Sequence, residues 1–275
     1  MEQQVLHWVG KRFDFDLTDE PIIYSIINCT PDSFFDGNKY PDLAAVLTQV
    51  SQDLANGAQV IEIGGKSTRP NFQEIGATEE LRRISPILKA VKQEFPQAIV
   101  AVDTTDSVVM RTVLSKFKVD IINDIKGFET TEKLSIIEQF QPSVVVMNNG
   151  RDTTNLLEDQ MAFFKQKQTQ LLQAGLTTAQ IAIDPGVGFS TSHQVKENLL
   201  RVEMTKKLAK LNMPVMIAIS QKGFLSKLFQ VAEKERLIPT LILECLMIQD
   251  GGRILRVHNS RETKLLLDIM KCYKI

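Results

Sequence analysis

The sequence predicts an α/β protein, a (β/α)8 TIM barrel with a short N-terminal cover segment. Eight short apolar, β-branched runs recur along the 275 residues, each reading as a strand buried on both faces, as parallel strands are. Longer segments of helical period lie between them. The length suits one barrel, and no GxGxxG turn follows an early run, which argues against a doubly wound open sheet.

The strand runs begin near Ile22 (IIYSII), Val60 (VIEI), Ile99 (IVAV), Val119 (VDII), Ser143 (SVVVM), Ile181 (IAI), Val215 (VMIAI) and Ile254 (ILRV). The first helix spans 42–56, with Leu43, Val46, Leu47, Val50 and Leu54 on one face. Asp42 is its N-cap and Gly57 its stop. A second helix spans 78–95, with Glu79 and Glu80 in its first turn and Leu81, Ile84, Leu88 and Val91 inward. Pro86 inside it implies a kink or a shifted boundary. A third, over 155–174, ends at Gly175. Residues 3–18 precede the first strand and are expected to cover the barrel bottom, with Trp8 packed there. No linker, repeat or low-complexity segment interrupts the chain, so one domain over 1–275 is expected.

Composition narrows the function classes. Hydrophobic residues make up 43% and charged residues 24%, which excludes disordered and fibrous chains. Net charge is −1 and pI about 6.3, so nothing draws the chain generally to nucleic acid or anionic membrane. The cysteines Cys29, Cys245 and Cys272 are scattered and odd in number, which argues against a zinc site or a disulfide framework. Cys29 reads as a buried small hydrophobe. The opening MEQQVLHWVGKRFDFD has no apolar signal core. The longest apolar stretch, 237–248, contains Pro239, Thr240 and Glu244 and is too short to span a bilayer. A cytoplasmic protein with no membrane or nucleic-acid partner is expected.

In such a barrel, chemistry belongs to residues at the C-terminal ends of the strands. Those positions hold Asn28, the loop GGKSTRP (64–70), Asp103, Asn123 with Asp124, and Met147 with Asn148. They continue with Asp184 in DPGVGF, Ser220 and Lys222 in SQK, and Arg256 with His258 in RVH. Asp103, Asn123 and Asp184 with Lys222 suit a flat, nitrogen-rich heterocycle, whose donor edge pairs with carboxylate and whose acceptors take the lysine. Ser67, Thr68 and Arg69, with Arg256 and His258, supply hydroxyls and cations suited to phosphate oxygens. Arg256 and His258 alternate, so both can face the barrel mouth. Asp124 reads as a loop cap. Lys165/Lys167 and Lys206/Lys207 read as solvated helix faces, and His7 and His193 as surface residues.

The stretches NCTPDSFFDG (28–37), GAQVIEIGGKSTRP (57–70), VDT (102–104), IINDIKG (121–127), DPGVGF (184–189), SQKGF (220–224) and RVH (256–258) stand in an order that resembles the dihydropteroate synthase family. The likeness runs over residues 20–272. It implies condensation of 6-hydroxymethyl-7,8-dihydropterin diphosphate with p-aminobenzoate, with release of pyrophosphate. On this resemblance Asp103, Asn123, Asp184 and Lys222 hold the pterin, with Met147 and Phe189 lining its pocket. Asn28, Arg256 and His258 resemble the diphosphate and magnesium ligands, Asn28 as the metal ligand. Thr68, Arg69 and Ser220 lie near the diphosphate and p-aminobenzoate. Loops carrying Asp32, Phe34 and Pro70 close over the reacting centre, so Lys222, Arg256 and Asp32 carry the chemistry. Mg2+ as cofactor and a homodimer are implied in the same way.

The chain departs from the family's usual pattern at several positions. Glu62 stands where Asp is common, Lys66 where Glu is, Asn148 where His is and Ser190-Thr191 where Gly-Lys is. Gln221 replaces Arg and Asn259 replaces Asp. A pterin-binding paralogue without turnover is therefore the second reading. A methyltetrahydrofolate-binding methyltransferase is the third, disfavoured by the diphosphate-facing RVH and STRP segments.

Overall fold

The structure, a computed structural model, describes residues 5–29, 35–36, 40–66, 75–149, 155–189 and 195–273. A hairpin opens the chain, β1 (His7–Gly10) pairing antiparallel with β2 (Phe13–Asp16). Then come β3 (Ile22–Asn28), the two-residue strands β4 (Phe35–Asp36) and β5 (Tyr40–Pro41), and helix α1 (Leu43–Ala55). The alternation continues through β6 (Ala58–Gly64), α2 (Ala77–Glu94), β7 (Ile99–Asp103), α3 (Ser107–Lys116), β8 (Ile121–Asp124) and α4 (Thr131–Phe140). The second half comprises β9 (Ser143–Met147), α5 (Leu156–Gln173), β10 (Ile181–Asp184), α6 (Val195–Glu203), α7 (Thr205–Leu208) and β11 (Val215–Ile217). It ends with α8 (Gly223–Phe229), α9 (Leu237–Gln249), β12 (Gly252–Val257) and α10 (Ser260–Tyr273). Strands β3 and β6 to β12 form a closed, all-parallel barrel in sequence order, with β12 pairing β3.

Local chemistry sets the helix ends as the sequence predicts. The Asp42 carboxylate accepts the Ala45 N–H at 3.0 Å, and Gly57 takes the φ of +88° that a helix stop favours. Asn155 caps α5 through Glu158 N–H, and Gly175 follows at φ +86°. Helix α2 is continuous through Pro86, so no boundary separates its halves there. The strands beginning at Ala58, Ile121 and Gly252 differ by two residues from the expected starts.

Two apolar layers result from the period of two along each strand. Ile23, Ile61, Val100, Ile122, Val144, Ile183, Ile217 and Leu255 face the helices. Tyr24, Val60, Ala101, Ile121, Val145, Ala182, Met216 and Ile254 fill the barrel together with Trp8, Phe13 and Leu17 of the N-terminal segment. The hairpin thus closes the barrel bottom as expected, with Trp8 fully buried and stacked on Tyr24 at 6.3 Å. Ser143 Oγ donates to Val9 O at 2.5 Å and Arg12 donates to Pro96 O at 2.6 Å, which fastens the hairpin to the strand starts. Lys167 corrects one expectation. It is buried on α5 with its ammonium 5.7 Å from the Phe163 ring centre, because its aliphatic stem covers apolar surface.

Glu244 is fully buried on α9, and among the described residues no donor meets either of its oxygens in good hydrogen-bond geometry. Burial pushes its carboxyl from 4.5 to about 8, and Thr263 on α10 only partly offsets this. The folded protein therefore holds a proton that the unfolded chain releases between these values. Stability falls with rising pH across that window, by about 1.4 kcal/mol per pH unit from this group. Glu244→Gln should leave the unfolding midpoint near its wild-type value at pH 5 and raise it at pH 8, as urea denaturation at both pH values would record.

Candidate active site

The inward residue at the top of each strand is where the apolar filling gives way to polar groups. Val60 is followed two residues later by Glu62, Ala101 by Asp103, Ile121 by Asn123, Ala182 by Asp184 and Ile254 by Arg256. Met147 takes the same position on β9 and is buried at the rim. Period alone therefore gathers these side chains at the C-terminal mouth.

Glu62 ties them together. Its Oε2 accepts from Tyr24 OH at 2.7 Å and from Asn123 Nδ2 at 2.9 Å. Its Oε1 accepts from Arg256 Nε at 2.8 Å and also from Arg256 Nη2. Arg256 Nη2 reaches on to Asp103 Oδ2 at 3.0 Å. Burial opposes charge on the guanidinium, but Glu62 and Asp103 outweigh it and hold the proton more firmly than usual. Asp103 moves the other way. Burial and the Glu62 charge push it up to about 7, against the pull of Arg256. Asn123 Oδ1 is buried and accepts no hydrogen bond from a described residue.

The turn after β10 forms the facing wall. Asp184 Oδ1 accepts the Gly186 N–H at 2.7 Å, Pro185 O accepts from Gln160 at 2.9 Å and Arg201 at 2.6 Å, and Asn198 accepts the Gly188 N–H at 2.6 Å. A Cβ on Gly186 would meet Asn148 O at 2.2 Å, and one on Gly188 would meet Lys222 Cδ at 2.6 Å; both glycines also have positive φ. No other residue fits these two places. Lys222 reaches across to donate to Val187 O, and its ammonium lies 4.7 Å from the Phe189 ring centre. Burial lowers the lysine to about 8, with Asp184 resisting. Asp184 is itself raised by burial, with Lys222 and the Gly186 N–H opposing.

The third edge of the mouth is Ser220, His258 and Asn28. Ser220 Oγ lies 3.1 Å from His258 Nδ1 and accepts the His258 N–H at 3.2 Å, while Asn28 Nδ2 is 3.4 Å from His258 Nε2. His258 is exposed, one residue past the end of β12. The described residues hold no group of three or more His, Cys, Asp or Glu able to ligate a metal. Asp32, Phe34, Ser67, Thr68, Arg69, Pro70, Ser190, Thr191 and His193 lie outside the described residues.

A family model described as pterin binding enzyme matches residues 24–258. The chain belongs to the pterin binding enzyme family. Its relatives include a dihydropteroate synthase type-3 of Escherichia coli, 34% identical over 92% of this chain and 98% of the relative. The dihydropteroate synthase of Streptococcus pyogenes is 30% identical over 95% and 98%. Among solved structures, a dihydropteroate synthase of Clostridium difficile, determined in the presence of pteroic acid, superposes with a TM-score of 0.88. It is 30% identical, covering 94% of this chain and 98% of that one. One from Xanthomonas albilineans with 4-aminobenzoic acid gives 0.89 at 25% identity, covering 98% and 99%.

Within this pterin-binding barrel, the structure brings together Asp103, Asn123, Met147, Asp184, Phe189, Lys222 and Arg256, and places Asn28, Ser220 and His258 on an adjoining edge. Asp124 stands apart as a cap, accepting from Lys126 N and Phe128 N at 2.9 Å and paired with buried Lys133 at 2.8 Å. Cys29 is fully buried, and burial pushes its thiol up to about 12, which leaves it unreactive. Sequence reasoning noted Glu62 only as a departure, although a carboxylate inside the run VIEI on the inward phase signals a buried partner. Tyr24, Gln160, Asn198 and Arg201 were not singled out; the helical three carry no motif that marks them.

Glu62→Ala would leave buried Arg256 with Asp103 alone and remove the acceptor of Tyr24 and Asn123. The expected loss is about 3–5 kcal/mol in urea denaturation. Tyr24→Phe, which deletes one neutral donor to a charged acceptor, should cost about 2 kcal/mol.

Proposed function

We propose that the protein is a dihydropteroate synthase, a transferase that joins 6-hydroxymethyl-7,8-dihydropterin diphosphate to p-aminobenzoate, giving 7,8-dihydropteroate and pyrophosphate in folate biosynthesis. The observation that carries this reading is the polar crown of the barrel. Asp103, Asn123 and Asp184 present acceptors opposite Lys222, and the buried Asn123 Oδ1, which meets no donor among the described residues, suits a pterin N–H. The amino and ring N–H groups of a pterin pair with these acceptors, and its carbonyl or ring nitrogen takes the Lys222 ammonium. Met147 and Phe189 supply the apolar faces of the slot.

The reaction breaks the bond between the pterin methylene carbon and the diphosphate oxygen, and the electron-rich ring delocalises the cation that remains. Arg256, gripped along one edge by Glu62, offers its remaining N–H groups to the departing diphosphate, with His258 beside it. Asp32 supplies the carboxylate that would stabilise the methylene cation. The aniline nitrogen of p-aminobenzoate then attacks this carbon, and its proton leaves to solvent or pyrophosphate. Ser220 and, from the loop after β6, Thr68 and Arg69 orient p-aminobenzoate and the diphosphate. Asn28 offers a hard amide oxygen at this rim and would hold a Mg2+ there. When bound, Mg2+ neutralises charge on the leaving diphosphate.

Exposed Ile238, Ile242 and Leu246 on α9 and Leu265, Ile269 and Tyr273 on α10 recur every four residues, and these apolar rows support pairing of two copies as a homodimer. Among the described residues no helix is long and apolar enough to cross a membrane, and the small charged substrates fit a cytoplasmic enzyme.

The test is product formation from both substrates with Mg2+, read by mass as dihydropteroate. Wild-type product, with kcat/KM lowered at least about a hundredfold in Lys222→Ala, is expected. Binding of the pterin diphosphate without turnover would favour the paralogue reading, and no binding would overturn both. Pterin binding requires Asp103 ionised and Lys222 protonated, so kcat/KM should rise with pH through about 7 and fall above about 8. Lys222→Arg should remove the alkaline limb.

A further inference from the structure

Ser220 and Lys222 face the mouth from one turn, and the residue between them is held in an unusual conformation. Gln221 has φ +59°, the left-handed value that the third residue of a type II turn adopts, and Lys222 N–H closes the turn onto Ile219 O at 3.2 Å. Glycine is the usual occupant of that place. Three contacts hold glutamine in it. Its backbone N–H donates to Thr240 Oγ1 at 3.2 Å, its carbonyl accepts from Arg236 Nη1 at 3.2 Å, and its side-chain Nε2 donates to Asn259 Oδ1 at 2.9 Å.

The last contact joins the loop after β11 to the loop after β12. Asn259 follows His258, and Gln221 follows Ser220, so the amide pair lies directly beside the Ser220–His258 contact. Thr240 is fixed in turn by its own donation to Arg236 O at 2.7 Å, and Arg236 by Ser226 Oγ at 2.8 Å. These contacts hold the turn to Ser226, Arg236, Thr240 and Asn259.

We infer that Gln221 is a positioning residue, and that the hydrogen bond from its side-chain amide to Asn259 sets Ser220 and Lys222 for the attack of the second substrate. This inference rests on the synthase reading above. Two positions that depart from the family's usual Arg and Asp thereby form one unit, a neutral amide pair in which both departures match each other.

Asn259→Ala removes the tether and leaves the turn residues in place, and Asn259→Asp keeps an acceptor for Gln221 Nε2. In the intact protein, Asn259→Ala should lower kcat about tenfold and raise KM for p-aminobenzoate, through misplacement of Ser220 and Lys222. The dissociation constant of pterin diphosphate should stay within about threefold, since Asp103, Asn123, Asp184 and Arg256 are off the turn. Asn259→Asp should restore kcat. The double variant Gln221→Arg/Asn259→Asp should be active, while Gln221→Arg alone should behave like Asn259→Ala. Unchanged kinetic constants in Asn259→Ala, with only a lowered unfolding midpoint, would overturn the positioning role. Wild-type turnover in the same assay separates the two claims, since no product from the wild type would instead remove the synthase reading.

Discussion

A carboxylate in the middle of a barrel cannot stand alone, because the transfer of an unpaired charge from water into an apolar interior is prohibitively costly. Glu62 meets that constraint by taking donors from three other strands, Tyr24 from β3, Asn123 from β8 and Arg256 from β12. Asp103, two residues further along the neighbouring strand β7, is kept within reach of the same guanidinium. The arrangement acts beside burial on protonation in the mouth. The Glu62 charge contributes to raising Asp103, Asp103 and Glu62 stabilise charge on Arg256, and the Arg256 charge contributes to the lowering of Lys222 across the barrel. Substitution of one member would therefore perturb all the others.

The rest of the mouth is rigid for a different reason. The turn after β10 donates or accepts at Asp184, Pro185, Val187 and Gly188, and its partners come from α5, α6 and the turn after β11. These backbone groups beyond the strand ladder meet side chains or other backbone groups, as buried peptide groups must. Arg201, with no exposed surface, crosses from α6 to meet the Asn148 and Pro185 carbonyls. A binding wall built this way needs no movement of its own when a ligand arrives.

The barrel and most of its polar crown were legible because both follow from a period of two and from the change to polar residues where each strand ends. Asp103, Asn123, Asp184 and Arg256 are the inward residues just past the apolar filling, and their spacing from Ala101, Ile121, Ala182 and Ile254 is visible in the chain. Glu62 was harder to read, since it is enclosed by apolar neighbours within its strand and does not mark a strand end. Gln160, Asn198 and Arg201 were illegible for another reason. They sit on helices whose polar positions ordinarily face water, and only the packing of α5 and α6 against the turn after β10 turns them inward. Lys167 was misread on the same ground, an aliphatic stem being indistinguishable in sequence from a solvated one.

The plug beneath the barrel is not separate from the mouth above it. Trp8 is the chain's one tryptophan, and its ring stacks on Tyr24, whose hydroxyl is bonded to Glu62. Two side chains thus span the distance from the closed end to the carboxylate that organises the open end. The indole is shielded from solvent, so its emission depends on its aromatic neighbours and on the charge held just above them. Any ligand that draws Arg256 away from Glu62 alters that field. The protein therefore carries a native fluorophore at the foot of its own binding chamber, and occupancy at one end can be observed as light from the other.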